Sequence, residues 1–246
     1  MFLGVMLVLR FIWSWVKRII FFGLIASILS VLLFKFVMIP FTPLMISRAV
    51  GHIIDGHSPK LKKTWIALDD MSKEMPLAAM CAEDGNFLNH HGFDFEAMEK
   101  AWKYNTKHGD KKPIKGGSTI SQQVAKNVFL WQGGKYDKYI RKIPEVYFTF
   151  LIEWVWGKKR ILEVYLNVIE TGPGCFGVEA AAQHYFKKSA KDLSRAEAAM
   201  IVAGFPNPKK FTARPMTRRV SWRYPQILRE MNNIEGDEDV RALLKK

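Results

Sequence analysis

Acidic side chains are missing from the first fifth of this chain. Residues 1–48 carry five basic residues (Arg10, Lys17, Arg18, Lys35 and Arg48) and no Asp or Glu. Of the 37 Lys+Arg and 23 Asp+Glu in all 246 residues, 32 basic and 23 acidic residues therefore follow residue 48, a surplus of nine. A uniformly basic soluble protein is excluded. An apolar, acid-free N-terminus is joined to a moderately basic part of about 200 residues, long enough to bury its own core. Cysteine is scarce as well. Two residues, Cys81 and Cys175, exclude a disulfide-stapled scaffold and a Cys-rich zinc module. One bridge between them fits an oxidising compartment, but two unpaired, mostly buried thiols are expected, because each has apolar neighbours. No repeat of 20–50 residues and no low-complexity tract is present, and β-branched alternation is nearly absent. With 49% apolar residues, 8 Trp and 17 Phe, disorder is excluded too.

What the N-terminus does contain is a long apolar run. Ile19 to Phe34 reads IIFFGLIASILSVLLF, sixteen residues without a charge. A bilayer core takes about 20 apolar residues, and a helix over 19–39, with Lys35 snorkelling, meets that length. Trp13 and Trp15 suit the interface, and Arg10, Lys17 and Arg18 precede the span. The positive-inside bias then puts residues 1–18 in the cytoplasm and the long C-terminal part outside. A cleaved signal peptide would need a shorter run and a small-x-small site, and this run continues into Phe36–Phe41. Residues 40–54, broken by Pro40 and Pro43, read as an apolar membrane-proximal linker, and 55–246 as the domain.

That domain reads as mostly α-helical. Pro76 suits a first helical position ahead of Leu77, Met80 and Cys81. Thr119 with Gln122, and Ser194 with Glu197, are capping-box patterns, the second opening a helix that stops at Gly204. KHGDKKPIKGG, from Lys107 to Gly117, reads as a mobile loop.

Three clusters bear on chemistry. Glu83-Asp84 stands at a helix end a few residues before His90-His91. A solvated helix terminus accounts for such a pair, but the apolar run before Glu83 also fits a desolvated carboxylate whose pKa rises toward general-base use. Gly116-Gly117-Ser118-Thr119, ahead of Gln122, Gln123, Lys126 and Asn127, fits an ordinary loop and cap, or a helix start whose N–H groups face an anion. It is not a Walker P-loop, since the Lys-Ser/Thr pair is absent. Arg141-Lys142-Ile143-Pro144-Glu145 fits an internal ion pair or a phosphate clamp beside a second carboxylate. No zinc spacing occurs, and His90-His91 reads as structural. Arg214, Arg218, Arg219, Trp222, Arg223 and Tyr224 make a basic, aromatic stripe. It suits anionic lipid, and for a domain outside the cytoplasm nucleic acid is not expected.

Taken together, the segments resemble the peptidoglycan glycosyltransferase domain, glycosyltransferase family 51, over about residues 55–235. The resemblance is carried by Glu83-Asp84-x-x-Phe87-x-x-His90-x-Gly92, GGSTISQQVAKN at 116–127, and Arg141-Lys142-x-x-Glu145. Lys159-Arg160-Ile161-Leu162-Glu163-x-Tyr165-Leu166-Asn167, GPGCFGVEAAAQHYF at 172–186 and AEAAMIVAGFPNPKKF at 196–211 complete it. It implies an all-α, lysozyme-like, two-lobed domain that polymerises lipid II into β-1,4-linked strands with inversion, releasing undecaprenyl pyrophosphate. Glu83 is then the general base and Glu145 the second catalytic carboxylate, near the departing pyrophosphate. Lys126, Arg141 and Lys142 hold phosphates. Ser118, Gln122, Gln123 and Asn127 shape the donor side, Gly117 and Thr119 bind substrate with them, and Asp84, Phe87 and His90 form the surroundings of Glu83.

The resemblance further implies a divalent cation, Mg²⁺ or Mn²⁺, with no dedicated protein cage. The implied partners are lipid II, the undecaprenyl-linked glycan chain, the bilayer and other cell-wall synthesis or division proteins. The implied location is the bacterial inner membrane, single-pass, with the domain periplasmic. The length leaves no room for a transpeptidase domain. Two departures stand out: the segment before Arg141 is longer than usual, leaving Lys135 and Lys138 as candidates for a further phosphate contact, and Lys187 replaces the usual Gly after Tyr185-Phe186. A lysozyme-like glycosidase or lytic transglycosylase, and a bitopic scaffold that recruits wall-synthesis partners, are the competing readings. The first would not need the phosphate-ready segments, and the second predicts that Glu83 is expendable.

Overall fold

The apolar N-terminus is one continuous helix in the computed structural model, which describes residues 2–59, 61–109, 115–131, 134 and 137–245. This α1, Phe2–Phe36, has 35 residues, about 52 Å at 1.5 Å per residue. Its stretch Leu9–Phe36 has a mean hydropathy of 2.5, long and apolar enough to cross a membrane. Phe11, Ile19 and Phe22 are each more than half exposed, a surface that needs lipid or protein to cover it. The helix ends at Phe36 rather than at Ile39 as expected. Proline disfavours the α conformation in the residue before it, so Pro40 draws Ile39 out of the helix.

The chain divides into Met1–Met38 and Ile39–Lys246. In the second unit, most of the 40–54 segment expected as a linker is helical. Pro43 is not a breaker but the first residue of α2, Pro43–Ile54, where its missing N–H costs nothing. The Thr42 side chain caps this helix by accepting from the Met45 N–H at 3.3 Å. Leu44 and Met45 are buried, while Ile46, Val50, Ile53 and Ile54 are exposed.

The helices that follow are α3 (Glu74–Glu83), α4 (Phe95–His108), α5 (Ile120–Phe129), α6 (Lys138–Val155), α7 (Gly157–Val168), α8 (Val178–Phe186), α9 (Arg195–Ala203), α10 (Arg218–Ile234) and α11 (Glu238–Leu244). Three very short strands, β1 (Lys62–Lys63), β2 (Glu170–Gly172) and β3 (Cys175–Phe176), form a sheet in the order β1-β3-β2. β1 runs parallel to β3, pairing Lys62 with Cys175, and β2 runs antiparallel. The expected α3 starts two residues before Pro76. Both capping boxes are closed in both directions, at Thr119/Gln122 and Ser194/Glu197. The expected loop at 107–117 begins later, since α4 runs through His108, and residues 110–114 lie outside the described residues. Cys81 and Cys175 are free thiols.

Two helix groups carry the core. α3, α9 and α10 pack on one another, as do α5, α6 and α7, and α3 also meets α7. Met75, Met80, Ile120, Ile161, Leu162 and Tyr165 are buried within them, each contributing on the order of 2 kcal/mol by leaving water. The fold is thus all-α, in two lobes.

Lys187 gives the chain a local cost. It ends α8 in the left-handed region, at φ 59° and ψ 33°, where a Cβ crowds the next carbonyl and glycine does not. Lys187→Gly is expected to raise stability by about 1 kcal/mol, read as a higher midpoint of thermal unfolding. An unchanged or lower midpoint would contradict this.

Candidate active site

The end of α3 meets the start of α5, and one carboxylate joins them. Asp84 leaves helical geometry at φ −159° and ψ 73°, which ends α3 at Glu83. Its buried carboxylate accepts from the Ile120 N–H, at the first residue of α5, at 2.9 Å. Both oxygens also lie 3.0 Å from His90 Nε2. The other ring nitrogen, Nδ1, accepts from the Gly92 N–H at 3.1 Å, so the partners assign His90 as the neutral tautomer with its proton on Nε2. An anion at a helix N-terminus is also favoured by the free N–H groups there. The Thr119 hydroxyl donates to the Gly92 carbonyl at 2.7 Å.

A second layer supports the first. Lys158 donates to the His90 carbonyl at 2.6 Å, pairs with Glu153 at 2.8 Å and lies 4.6 Å from the centroid of the buried Phe87 ring. Ser121 donates to the same Glu153 carboxylate. Gly92, at φ 91°, admits no side chain, because a Cβ there would stand 2.8 Å from Thr149 Cγ2.

This clasp holds Glu83 beside α5. Gln123 Nε2 donates to Glu83 Oε2 at 3.0 Å. Burial pushes the Glu83 carboxyl above its ordinary value of 4.5. The Gln123 hydrogen bond and the charges of Arg223 and Lys126 oppose that rise, and Asp84 adds to it. The side chain is surrounded by protein yet keeps a partly exposed edge. Burial also lowers the Lys126 ammonium from 10.5. Glu145 and Glu83 oppose that drop, while Arg141 and Lys142 deepen it. Lys126 therefore feels both carboxylates at once. On α6, buried Glu145 is held by Lys142 at 2.6 Å, so of the two readings of that segment the internal ion pair is present. Arg141 Nη1 donates to the Trp131 carbonyl at 3.2 Å, and its buried Nε has no partner among the described residues.

Glu83 opens onto two hollows. The larger, of about 780 Å³, is lined by Glu83, Lys115, Gly116, Ser118, Gln123 and Lys126, with Arg219, Trp222, Arg223 and Gln226 of α10 completing it. The smaller, of about 240 Å³, is lined by Glu83, Asp84, Cys81, Asp94, Lys100 and the Lys115–Thr119 segment. Lys115, Gly116 and Ser118 belong to both, so this segment partitions the space around the carboxylate.

Of the residues expected to bind substrate, Ser118, Gln123 and Lys126 line the larger hollow, whereas Asp84, Gly117 and Thr119 reach only the smaller. Phe87, His90, Gln122 and Asn127 are buried and line neither, standing behind the walls as supports. Arg141, Lys142 and Glu145 also lie outside both linings. Lys135 lies outside the described residues, and of Lys138 only the backbone is described. The sequence assigns Arg219, Trp222 and Arg223 to anionic lipid and does not disclose their place in the larger hollow. Their spacing at i, i+3 and i+4 places them on one helix face, which was the available signal.

The carboxylates do not fit a protein-held Mg²⁺ or Mn²⁺. Asp84 is taken by His90 and Ile120, Glu145 by Lys142 and Glu83 by Gln123. No cluster of three or more His, Cys, Asp or Glu suited to a metal occurs among the described residues.

A family model described as transglycosylase matches residues 50–232. The chain is 46% identical over 215 residues to a biosynthetic peptidoglycan transglycosylase of Bdellovibrio bacteriovorus, covering 87% of this chain and 84% of that one. It is 49% identical over 203 residues to one from Mannheimia succiniciproducens, covering 82% and 81%. With one from Pectobacterium carotovorum it shares 41% over 234 residues, 93% and 94% of the two chains.

Proposed function

The chain belongs to the transglycosylase family and is a peptidoglycan glycosyltransferase, and on that premise we propose that it polymerises lipid II at Glu83. The observation that carries this reading is a desolvated carboxylate, held by Gln123, that opens onto two hollows with Lys126 beside it. The 4-hydroxyl of the acceptor GlcNAc gives its proton to Glu83 as its oxygen attacks C1 of the donor sugar. The bond from C1 to the pyrophosphate oxygen breaks, a β-1,4 link forms with inversion, and undecaprenyl pyrophosphate leaves as an anion. Lys126 is the cation that meets the developing charge, and Arg141 and Lys142 extend that positive field from α6. A carboxylate kept in a low-dielectric wall is a stronger base than one in water, which suits it to a weakly acidic sugar hydroxyl. Mg²⁺ or Mn²⁺ would arrive on the pyrophosphate rather than on a protein cage.

The site belongs at a membrane surface. α1 anchors the chain, and Arg10, Lys17 and Arg18 favour a cytoplasmic N-terminus with the catalytic unit on the outer face of the inner membrane. Ile140, Ile143, Phe150 and Trp154 along α6, and Ile46, Val50 and Ile53 on α2, are exposed. Apolar surfaces of this kind suit an enzyme whose substrate carries a polyprenyl tail.

Glu145 acts on this proposal through its neighbours, by pairing Lys142 and by favouring the charged form of Lys126. Glu145→Gln is expected to slow chain formation from lipid II by about 10²-fold or more while lipid-linked substrate still binds. Measuring polymer yield and lipid II binding on one preparation separates the two effects. A near-wild-type rate would remove Glu145 from the mechanism.

A further inference from the structure

One lining of the larger hollow takes no part in the chemistry above. It is the α10 face bearing Arg219 and Trp222. Trp222 is 58% exposed, and the Arg219 guanidinium carbon lies 5.2 Å from its ring centroid. Arg219 is itself exposed, and among the described residues no carboxylate pairs with it. Arg223, one turn on, differs. Glu230 holds it through two contacts of 2.8 and 3.1 Å, and Gln226 accepts from it at 3.2 Å. The charge of Arg223 is balanced within its own helix, and that of Arg219 is not.

A guanidinium resting on an aromatic face keeps the edge of its fork free. Stacking also limits its rotamers, so less freedom is lost when that edge binds. The free edge matches a carboxylate in planar, two-point geometry. Peptidoglycan is a glycan whose sugar units carry short peptide side arms, and those arms bear carboxylates. A hollow that receives such a unit beside Glu83 brings the arm within the same walls. The pyrophosphate of the donor is already met by Lys126 on the other lining.

Resting on the glycosyltransferase reading of this site, we propose that Arg219, supported on Trp222, is a specificity element that binds a carboxylate of the peptide side arm. Arg219 thereby distinguishes acidic from neutral side arms, and it acts on substrate binding rather than on the bond-making step.

The test uses the full-length chain and two lipid-linked substrates that share disaccharide, pyrophosphate and lipid. One has free side-arm carboxylates, and in the other they are amides. Wild type is expected to favour the free acid by about fivefold in kcat/KM, carried by KM, as fits a partly exposed ion pair. Arg219→Gln brings that ratio to about 1, and Arg219→Lys, which keeps the charge but loses the fork, leaves it in between. Equal kcat/KM for both substrates in the wild type overturns the proposal, and so does a preference that survives Arg219→Gln. A loss in Arg219→Gln that is the same for both substrates also overturns it, and assigns Arg219 to the pyrophosphate they share. Failure of the wild type to polymerise either substrate overturns the underlying reading of the site, and this proposal with it.

Discussion

Glu83→Gln is expected to lower glycan polymerisation by about 10³-fold while leaving the fold in place. The amide keeps the shape of the side chain but no longer accepts a proton from the sugar hydroxyl. Its oxygen still accepts from Gln123 Nε2, so the local contact survives. Stability responds in the opposite sense to activity. Burial raises the folded-state pKa of Glu83 above its ordinary value, so the folded chain holds that proton more tightly than the unfolded one. Such a group favours folding at low pH, and that contribution is lost as pH rises through the window from 4.5 to the raised value. At pH 7 the wild type bears the cost of a desolvated charge, and Glu83→Gln does not. The variant is thus expected to melt no lower than the wild type. The same carboxylate sets the acid limb of kcat/KM, which falls as pH drops through the raised value, above 4.5. A folded Glu83→Gln protein that still makes chains at a wild-type rate would sink the mechanism.

Asp84→Ala is expected to damage stability and activity together. The substitution leaves the Ile120 N–H and the His90 Nε2–H in a buried site without their acceptor. Orphaned buried donors facing a deleted charge cost about 3 kcal/mol, which for a unit of this size lowers the midpoint of thermal unfolding by about 6–12 °C. The clasp also sets the end of α3 against the start of α5, and so the distance from Glu83 to Gln123 and Lys126. Misplacement of that kind costs about 10²-fold in rate even where the chain folds. His90→Ala removes one of the two contacts and keeps the α5 cap, so its effect is expected to be smaller. Circular-dichroism melts of the two variants check the order. An Asp84→Ala midpoint equal to that of the wild type would show that the clasp carries no weight.

The features legible in the sequence were the ones determined by neighbours in the chain. Thr119/Gln122 and Ser194/Glu197 are closed by residues three apart, so the pattern suffices. The apolar run into Glu83 foretold a desolvated carboxylate because the helix that buries it is the helix that carries it. Pro43 misled, since proline ends one helix and opens the next with equal ease, and only the Thr42 cap distinguishes the two. Phe87, His90, Gln122 and Asn127 share motifs with cleft residues, yet a motif does not say which side of a wall a residue occupies. That depends on α5 packing against α6 and α7. Arg219 and Trp222 were the hardest to read. Their helix reaches the site only because α10 packs on α3 and α9, more than a hundred residues away in the case of α3.

The most direct measurement incubates the purified full-length chain with lipid II and sizes the glycan. β-1,4-linked chains longer than the starting disaccharide, formed with release of undecaprenyl pyrophosphate by the wild type and not by Glu83→Gln, are the expected result. No chains from lipid II, or shortening of a preformed glycan in their place, would contradict it.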